Sequence, residues 1–101
     1  MIINTIENNN EFTICLEGRL DTQTAPVLEK ALDDLLERCE SMVLDLARLE
    51  YVSSAGLRVI LKLQKVMQKK GGMKLIHVAD SVMEVFEITG FVDIVMIEKA
   101  I

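Results

Sequence analysis

The sequence has little of what usually points directly to a chemistry. Its 101 residues include one histidine, one proline, two cysteines and no tryptophan. Cys15 and Cys39 lack the spacing of metal ligands or redox pairs, and we interpret them as core thiols of a cytoplasmic protein. No apolar run approaches the roughly 20 residues that span a bilayer, and the first residues lack the basic start of a signal peptide. We therefore expect no membrane association.

Positive charge is also scarce. Lysine and arginine together number 11 against 16 acidic residues, which gives a formal net charge of −5. Because phosphate contacts need a basic surface, this balance argues against nucleic acid as a partner. Half of the residues are hydrophobic, and a chain of this length buries roughly 60–70% of its unfolded surface. We predict a single domain, residues 1–101, with one core.

Apolar residues recur at period two in some stretches and at helical spacing in others, and the two patterns alternate along the chain. The stretches typical of strands are 2–7, 11–17, 42–46, 73–78 and 93–97. Helical patterns begin at Pro26 and cover about 55–70 and 80–89. The run 42–46 is almost continuously apolar, which is typical of a strand covered on both faces.

The order of these elements predicts the fold class. Strands that alternate with helices pair in parallel through right-handed crossovers. Asn8, Asn9 and Asn10 separate the first two strands, and asparagine tolerates the left-handed conformation of a tight hairpin turn. The sequence therefore predicts an α/β fold: a mixed, mostly parallel sheet of about five strands with an antiparallel N-terminal strand, flanked by about three helices.

Two hydroxyls, Ser53 and Ser54, stand just before the second predicted helix. The start of a helix carries unpaired N–H groups and a partial positive charge, so it holds a negative group well. A serine there can be an N-cap worth about 1 kcal/mol, or it can be the acceptor of a phosphate. The two interpretations are compatible.

Neither serine has the sequence context of a catalytic nucleophile. Such a serine needs a base within hydrogen-bond reach, and the single histidine, His77, lies at the end of a later predicted strand. The Gly-x-Ser-x-Gly elbow and the Gly-Lys-Ser/Thr phosphate loop are absent. Asp45 lacks the companion acidic residues that hold magnesium in receiver domains, and we interpret it as fixing the loop that follows. We predict no catalytic residue, no metal and no cofactor.

Two stretches together resemble a known family. Gly18-Arg19-Leu20-Asp21 precedes the first helix, and residues 43–57 read Val-Leu-Asp-Leu-Ala-Arg-Leu-Glu-Tyr-Val-Ser-Ser-Ala-Gly-Leu. This pattern resembles the STAS domain of bacterial anti-sigma factor antagonists, and the resemblance covers essentially the whole chain. It implies that Ser54 is phosphorylated by a partner kinase that is also the anti-sigma factor, and that Asp21 lies near this serine.

The resemblance also implies partners and a binding surface. The unphosphorylated chain would bind the anti-sigma factor/serine protein kinase and release it once phosphorylated, and a PP2C-type phosphatase would reset the switch. The expected partner-binding residues surround the phosphorylation site: Asp21, Ser53, Ser54, Ala55, Gly56, Leu57 and Arg58.

Three positions depart from the family pattern. Ser53 stands where an aspartate is usual, Ala55 where a second hydroxyl is frequent, and Arg58 where a small residue is usual. The departures leave a second hypothesis open, a constitutive STAS-type module that binds a ligand or serves as a scaffold without a phosphoswitch. An enzyme would be a third hypothesis, and it would need a metal or a histidine beside Ser54.

Overall fold

The computed structural model describes residues 1–93 and 95–99, and five strands and three α-helices lie within these ranges. The strands are β1 (Ile2–Asn8), β2 (Glu11–Leu20), β3 (Ser41–Val52), β4 (Met73–Val78) and β5 (Met96–Lys99). The helices are α1 (Ala25–Leu36), α2 (Ser54–Met67) and α3 (Asp80–Ile88), and a 3₁₀ turn covers Phe91–Asp93. No helix in the described ranges is long and apolar enough to cross a membrane.

The sheet has the strand order β1-β2-β3-β4-β5. β1 pairs antiparallel with β2, and every other neighbouring pair is parallel. Asn9 and Asn10 turn the chain between β1 and β2 with φ values of 53° and 69°, in the left-handed region that asparagine tolerates. The predicted α/β fold class, with its mostly parallel sheet and antiparallel first strand, is confirmed.

The helices within the described residues pack on one face of the sheet. Side chains buried on alternate positions of β2, such as Phe12 and Ile14, belong to the same core cluster as buried residues of all three helices. The side chains between them, Thr13 and Cys15, and their neighbour Val43 on β3 are only half-buried. The expectation that 42–46 forms a strand covered on both faces is therefore wrong, because the described helices pack on the other face.

β3 is longer than the sequence indicated. It continues beyond Leu46 as far as Val52, through a stretch that we expected to be a loop. The pairing between β2 and β3 shifts register twice along this stretch, and such bulges interrupt the alternation of a strand. Leu46, Leu49 and Val52 are all buried although they are three residues apart, a spacing that does not indicate a strand.

The end of the chain also differs from the prediction. We expected a strand over 93–97, whereas Phe91–Asp93 form a 3₁₀ turn and β5 begins at Met96. The buried ring of Phe91 lies 5.2 Å from the ring of Phe86, centroid to centroid. Burial of this aromatic pair packs the 3₁₀ turn against α3, and β5 begins only after the turn. Residue 94 lies outside the described residues.

Candidate functional site

The candidate site lies at the edge of the sheet where β2 and β3 end. The two strands are parallel and Leu20 is in register with Val52, so both segments leave the sheet side by side. The Ser53 N–H donates to the Leu20 carbonyl over 2.9 Å, which ties the entry into α2 to the end of β2. In α/β sheets, binding sites are commonly found at the carboxyl ends of the parallel strands.

Ser53 is the N-cap of α2. Its backbone is extended, with φ −91° and ψ 175°, and its side-chain oxygen accepts a hydrogen bond from the Gly56 N–H at 3.3 Å. Its carbonyl accepts the Leu57 N–H at 2.9 Å, which closes the first turn of the helix. The hydroxyl of Ser53 is thus occupied in satisfying one of the N–H groups that a helix start leaves unpaired.

Ser54 is the first residue of α2 and is exposed. Among the described residues, its hydroxyl has no hydrogen-bond partner. The first turn of α2 contains no acidic residue, so no carboxylate within it balances the partial positive charge of the helix start. A hydroxyl in this position can take on a negatively charged group in a favourable field.

Gly56 allows α2 to start this close to β2. A Cβ at this position would lie 2.7 Å from Cγ of Leu20 and 2.9 Å from its carbonyl oxygen. Both distances are shorter than a side chain tolerates, and one of the atoms belongs to the backbone. Gly56 is itself buried. Its part in the site is therefore to let the helix approach the strand.

Asp21 lies at the same edge, directly after Leu20. Its Oδ1 accepts hydrogen bonds from the N–H of Thr24 at 3.1 Å and of Gln23 at 3.0 Å. The Thr24 N–H is the main cause that lowers the pKa of Asp21; burial opposes it, and the Gln23 N–H and the charge of Arg19 assist it. Asp21 is therefore an ionised carboxylate held in the turn that leads into α1.

An aromatic ring and a cation extend this edge. The guanidinium carbon of Arg19 lies 4.3 Å from the ring centroid of Tyr51, within range of a cation–π contact. The Nε atom of Arg19 also lies 3.9 Å from Oδ2 of Asp21. Tyr51 is 40% exposed. Sequence reasoning did not select Tyr51, since only the pairing of β2 with β3 places it opposite Arg19.

A shallow groove of about 260 Å³ adjoins the start of α2. It is lined by Ser54, Leu57, Arg58, Leu61, Thr89 and Phe91. Leu57 and Leu61 are one helical turn apart and partly buried against the core, whereas Arg58 is exposed. The groove thus combines an apolar floor with a hydroxyl and a cation.

Three lining residues of this groove were missed by sequence reasoning. Leu61 could have been found, because an apolar residue four positions after Leu57 lies on the same helix face. Thr89 and Phe91 follow α3 in the chain and could not, since only the fold carries them to α2.

The predicted site residues therefore differ in their surroundings. Asp21, Ser53 and Ser54 lie at the same edge of the sheet, and Arg58 is exposed one helical turn further along α2. Ala55, like Leu57, is partly buried.

The histidine is engaged elsewhere. Nδ1 of His77 lies 3.0 Å from Oδ1 of Asp45, and the same oxygen accepts the Ala47 N–H at 3.1 Å. We had expected Asp45 to fix a loop. It instead binds backbone within β3. No group of three or more histidine, cysteine or acidic side chains in the described parts of the chain could hold a metal ion.

Comparisons with known proteins agree with this fold. The sequence-family model of the STAS domain matches residues 3–101 of this chain. The chain is 44% identical over 82 residues to BtrV of Bordetella bronchiseptica, a candidate anti-sigma factor antagonist, covering 79% of this chain and 71% of BtrV. It is 32% identical over 90 residues to the anti-sigma-B factor antagonist of Bacillus subtilis, covering 88% of this chain and 83% of that protein.

Solved structures show the same architecture. The anti-sigma factor antagonist SpoIIAA in its unphosphorylated form matches with a TM-score of 0.81 at 17% identity, over 95% of this chain and 87% of that one. The Bacillus cell fate determinant SpoIIAA in its phosphorylated form matches with a TM-score of 0.74 at 16% identity, over 95% of this chain and 90% of that one. At such identities the likeness establishes the fold alone. Since the family model spans nearly the whole chain, the chain belongs to the STAS domain family.

Proposed function

We propose that this chain is an anti-sigma factor antagonist that acts as a phosphorylation-controlled partner switch. The unphosphorylated chain binds an anti-sigma factor that is also a serine kinase, and phosphorylation of Ser54 releases it. The names of the curated relatives support the general role. The two SpoIIAA structures support a switch, since that protein is known in both an unphosphorylated and a phosphorylated form.

The contrast between the two adjacent serines carries the proposal. Ser53 is occupied as the N-cap of α2, whereas Ser54 is exposed at the first helical position. A kinase can reach the second hydroxyl without unfolding the helix. The chain is then a substrate and a ligand and not an enzyme.

The expected size of the effect follows from the charge that a phosphate adds. Phosphorylation adds about −1.5 to −2 charges at pH 7. The start of α2 accommodates this charge in the free chain, because helix N-termini favour anions. In a partly dry interface the same charge is costly because it is removed from water, and a loss of about 3 kcal/mol weakens binding roughly 100-fold. Asp21 is ionised and lies at the same edge, so its negative charge adds to that of the phosphate in the interface.

The family resemblance implies a docking surface, a phosphatase and a compartment for this switch. The partner docks on the edge formed by Asp21, Ser53, Ser54 and the first turn of α2. A PP2C-type phosphatase restores the unphosphorylated serine. Partner binding, phosphorylation and dephosphorylation take place in the cytoplasm, where sigma factors and ATP are available.

Phosphorylation can be tested directly with the cognate kinase. We expect the chain incubated with the kinase and ATP to gain one phosphate, which peptide mass spectrometry assigns to Ser54. The matched variants are Ser54→Ala, which should gain none, and Ser53→Asn, which keeps a side chain that caps α2 well and should still be phosphorylated. A phosphate on Ser53, or none, would contradict the switch and leave the binding role open.

The binding consequence is measured separately. We expect calorimetry to show that Ser54→Ala binds the anti-sigma factor as the unmodified chain does, whereas phosphorylated Ser54 binds about 100-fold more weakly. Ser54→Asn, a neutral polar replacement, controls for side-chain shape. Equal affinities of the phosphorylated and unmodified chains would exclude release by phosphorylation.

One observation favours the second candidate function, a constitutive STAS-type ligand-binding or scaffold module. The residue before Ser54 is the uncharged Ser53, so a kinase that reads an acidic residue there finds none. Ser53→Asp supplies the missing carboxylate and retains the N-cap. Phosphorylation of Ser53→Asp but not of the unmodified chain would support the constitutive module.

A further inference from the structure

Arg58 differs from the other arginines of the chain. Arg19, Arg38 and Arg48 each lie within 4.0 Å of a carboxylate, at 3.9, 2.9 and 3.8 Å. Arg58 has no such partner in the ranges 1–93 and 95–99, although the chain as a whole carries an excess of acidic residues. Arg58 is an exposed residue, so an anion can approach it from solvent.

The carboxylate that shares a groove with Arg58 is already paired. Arg58 lines a second groove together with Glu29 of α1 and Lys62 of α2. Glu29 there pairs with Lys62, with 2.9 Å between Oε2 and Nζ. This ion pair raises the pKa of Lys62. Arg58, the cation in the first two turns of α2, is left without a carboxylate partner among the described residues.

Arg58 stands four residues after Ser54 in the same helix. Side chains at this spacing lie on one face with Cβ atoms about 5–6 Å apart, and an acidic group N-terminal to a basic one is the better order of such a pair. The two side chains also line one groove. Without a phosphate, a cation this near the start of a helix opposes the helix dipole.

We propose that the guanidinium of Arg58 binds the phosphate of phosphorylated Ser54 within the same chain. This inference rests on the proposed phosphorylation of Ser54 and concerns what becomes of the phosphate once it is there. A guanidinium and a phosphate form two parallel charge-assisted hydrogen bonds. The phosphate then lies along α2 over the mouth of the groove. The Ser54 hydroxyl is esterified and the Arg58 guanidinium is paired, so neither is available to a partner.

The pairing has a consequence for regulation. Since Arg58 partly neutralises the phosphate, release of the partner depends on the covered first turn of α2 as well as on added charge. An aspartate at position 54 is too short to reproduce this arrangement fully, so it would imitate the phosphorylated state only in part.

The test uses the full chain with phosphoserine encoded genetically at position 54, which needs no kinase. Its phosphate is titrated by ³¹P NMR in the otherwise unmodified chain and in Arg58→Gln. We expect the titration midpoint to lie roughly 0.2–0.7 pH units lower with Arg58 than with Gln, the range for an exposed ion pair. The difference should shrink in 1 M NaCl.

The matched control is Lys65→Gln. It removes one positive charge from an exposed position of the same helix, about 10 Å beyond Arg58, where salt screens its effect on the phosphate. Its midpoint should equal that of the chain with Lys65, and Arg58→Lys should lie between Arg58 and Gln because an ammonium cannot bind bidentately. Equal midpoints with Arg58 and Gln would overturn the inference. A kinase that fails to modify Ser54 would refute the proposed phosphoswitch and leave this measurement unaffected.

Discussion

The starts of α1 and α2 lie side by side at one edge of the sheet but are built differently. Before α1, the Asp21 N–H donates to Oγ1 of Thr24 at 2.8 Å, and the Thr24 N–H donates back to Oδ1 of Asp21 at 3.1 Å. The Thr24 hydroxyl also donates to the Arg19 carbonyl at 2.7 Å. At the start of α2 the single side-chain cap is the Ser53–Gly56 hydrogen bond at 3.3 Å.

The difference lies in charge as much as in hydrogen bonds. Neither helix has an acidic residue in its first turn, but before α1 the carboxylate of Asp21 accepts the N–H of the N-cap Thr24, whereas the cap of α2 is the uncharged hydroxyl of Ser53. A helix start with a built-in anion gains little from a second one, while a start without an anion can gain from one that is added later. The start of α2 is therefore the better place of the two for an added negative charge.

The largest expected effect is that of Gly56→Ala, which would break the close approach on which the α2 start depends. The new Cβ would meet the Leu20 side chain and carbonyl at 2.7 and 2.9 Å. We expect a loss of about 1–3 kcal/mol in the free energy of unfolding, measured by urea denaturation. Lys65→Ala, an exposed change in the same helix, should be nearly neutral. Equal stability of Gly56→Ala and the unmodified chain would contradict the close packing.

The next effect separates the two serines. Ser53→Ala removes the N-cap and should cost about 1 kcal/mol of stability, whereas Ser54→Ala removes an exposed hydroxyl and should change stability by less than about 0.5 kcal/mol. Denaturant midpoints of the two variants, measured together, test the contrast. Losses of similar size would mean that both hydroxyls serve the helix.

A smaller effect tests the uncompensated charge at the start of α2. Ser54→Asp places a carboxylate there and should stabilise the chain by about 0.3–1 kcal/mol at low ionic strength. The gain should largely disappear in 1 M NaCl, and the neutral Ser54→Asn should not show it. Thermal unfolding at two salt concentrations checks this. A destabilised Ser54→Asp would show that the start of α2 does not accept an anion.

The smallest effect concerns the carboxylate at the start of α1. Hydrogen bonds from Thr24 and Gln23 lower the pKa of Asp21 below its ordinary value of 3.8. The stability that this carboxylate contributes is therefore fully present above pH 3.8 and is lost as the pH falls through the lowered pKa of the folded chain. Asp21→Asn should remove this part of the acid dependence, and an NMR titration of Asp21 checks the direction. A midpoint above 3.8 would contradict the hydrogen-bonded turn.

The sequence was sufficient where a local pattern has a single physical meaning. Adjacent asparagines indicated the left-handed turn between β1 and β2, and the structure has it. A serine before a helical pattern indicated an N-cap, and Ser53 is that cap. The order of the elements was enough for the fold class, because connections between parallel strands have one hand.

Patterns with more than one meaning led to errors. The apolar run 42–46 suggested a strand covered on both faces, but its second face is covered by no helix of the described residues. The spacing of Leu46, Leu49 and Val52 concealed half of β3, because bulges in its pairing with β2 shift the alternation. Neither bulges nor the coverage of a face can be read from one strand alone.

The sequence by itself determined the kind of fold and the helix start with its two hydroxyls. Only the tertiary structure decided which serine is occupied, since that depends on the hydrogen bond from Ser53 to Leu20 and on the space that Gly56 leaves. It also decided that Arg58 has no carboxylate partner among the described residues, because Glu29 reaches Lys62 across the groove between α1 and α2. Such contacts join residues far apart in the chain, and no local spacing encodes them.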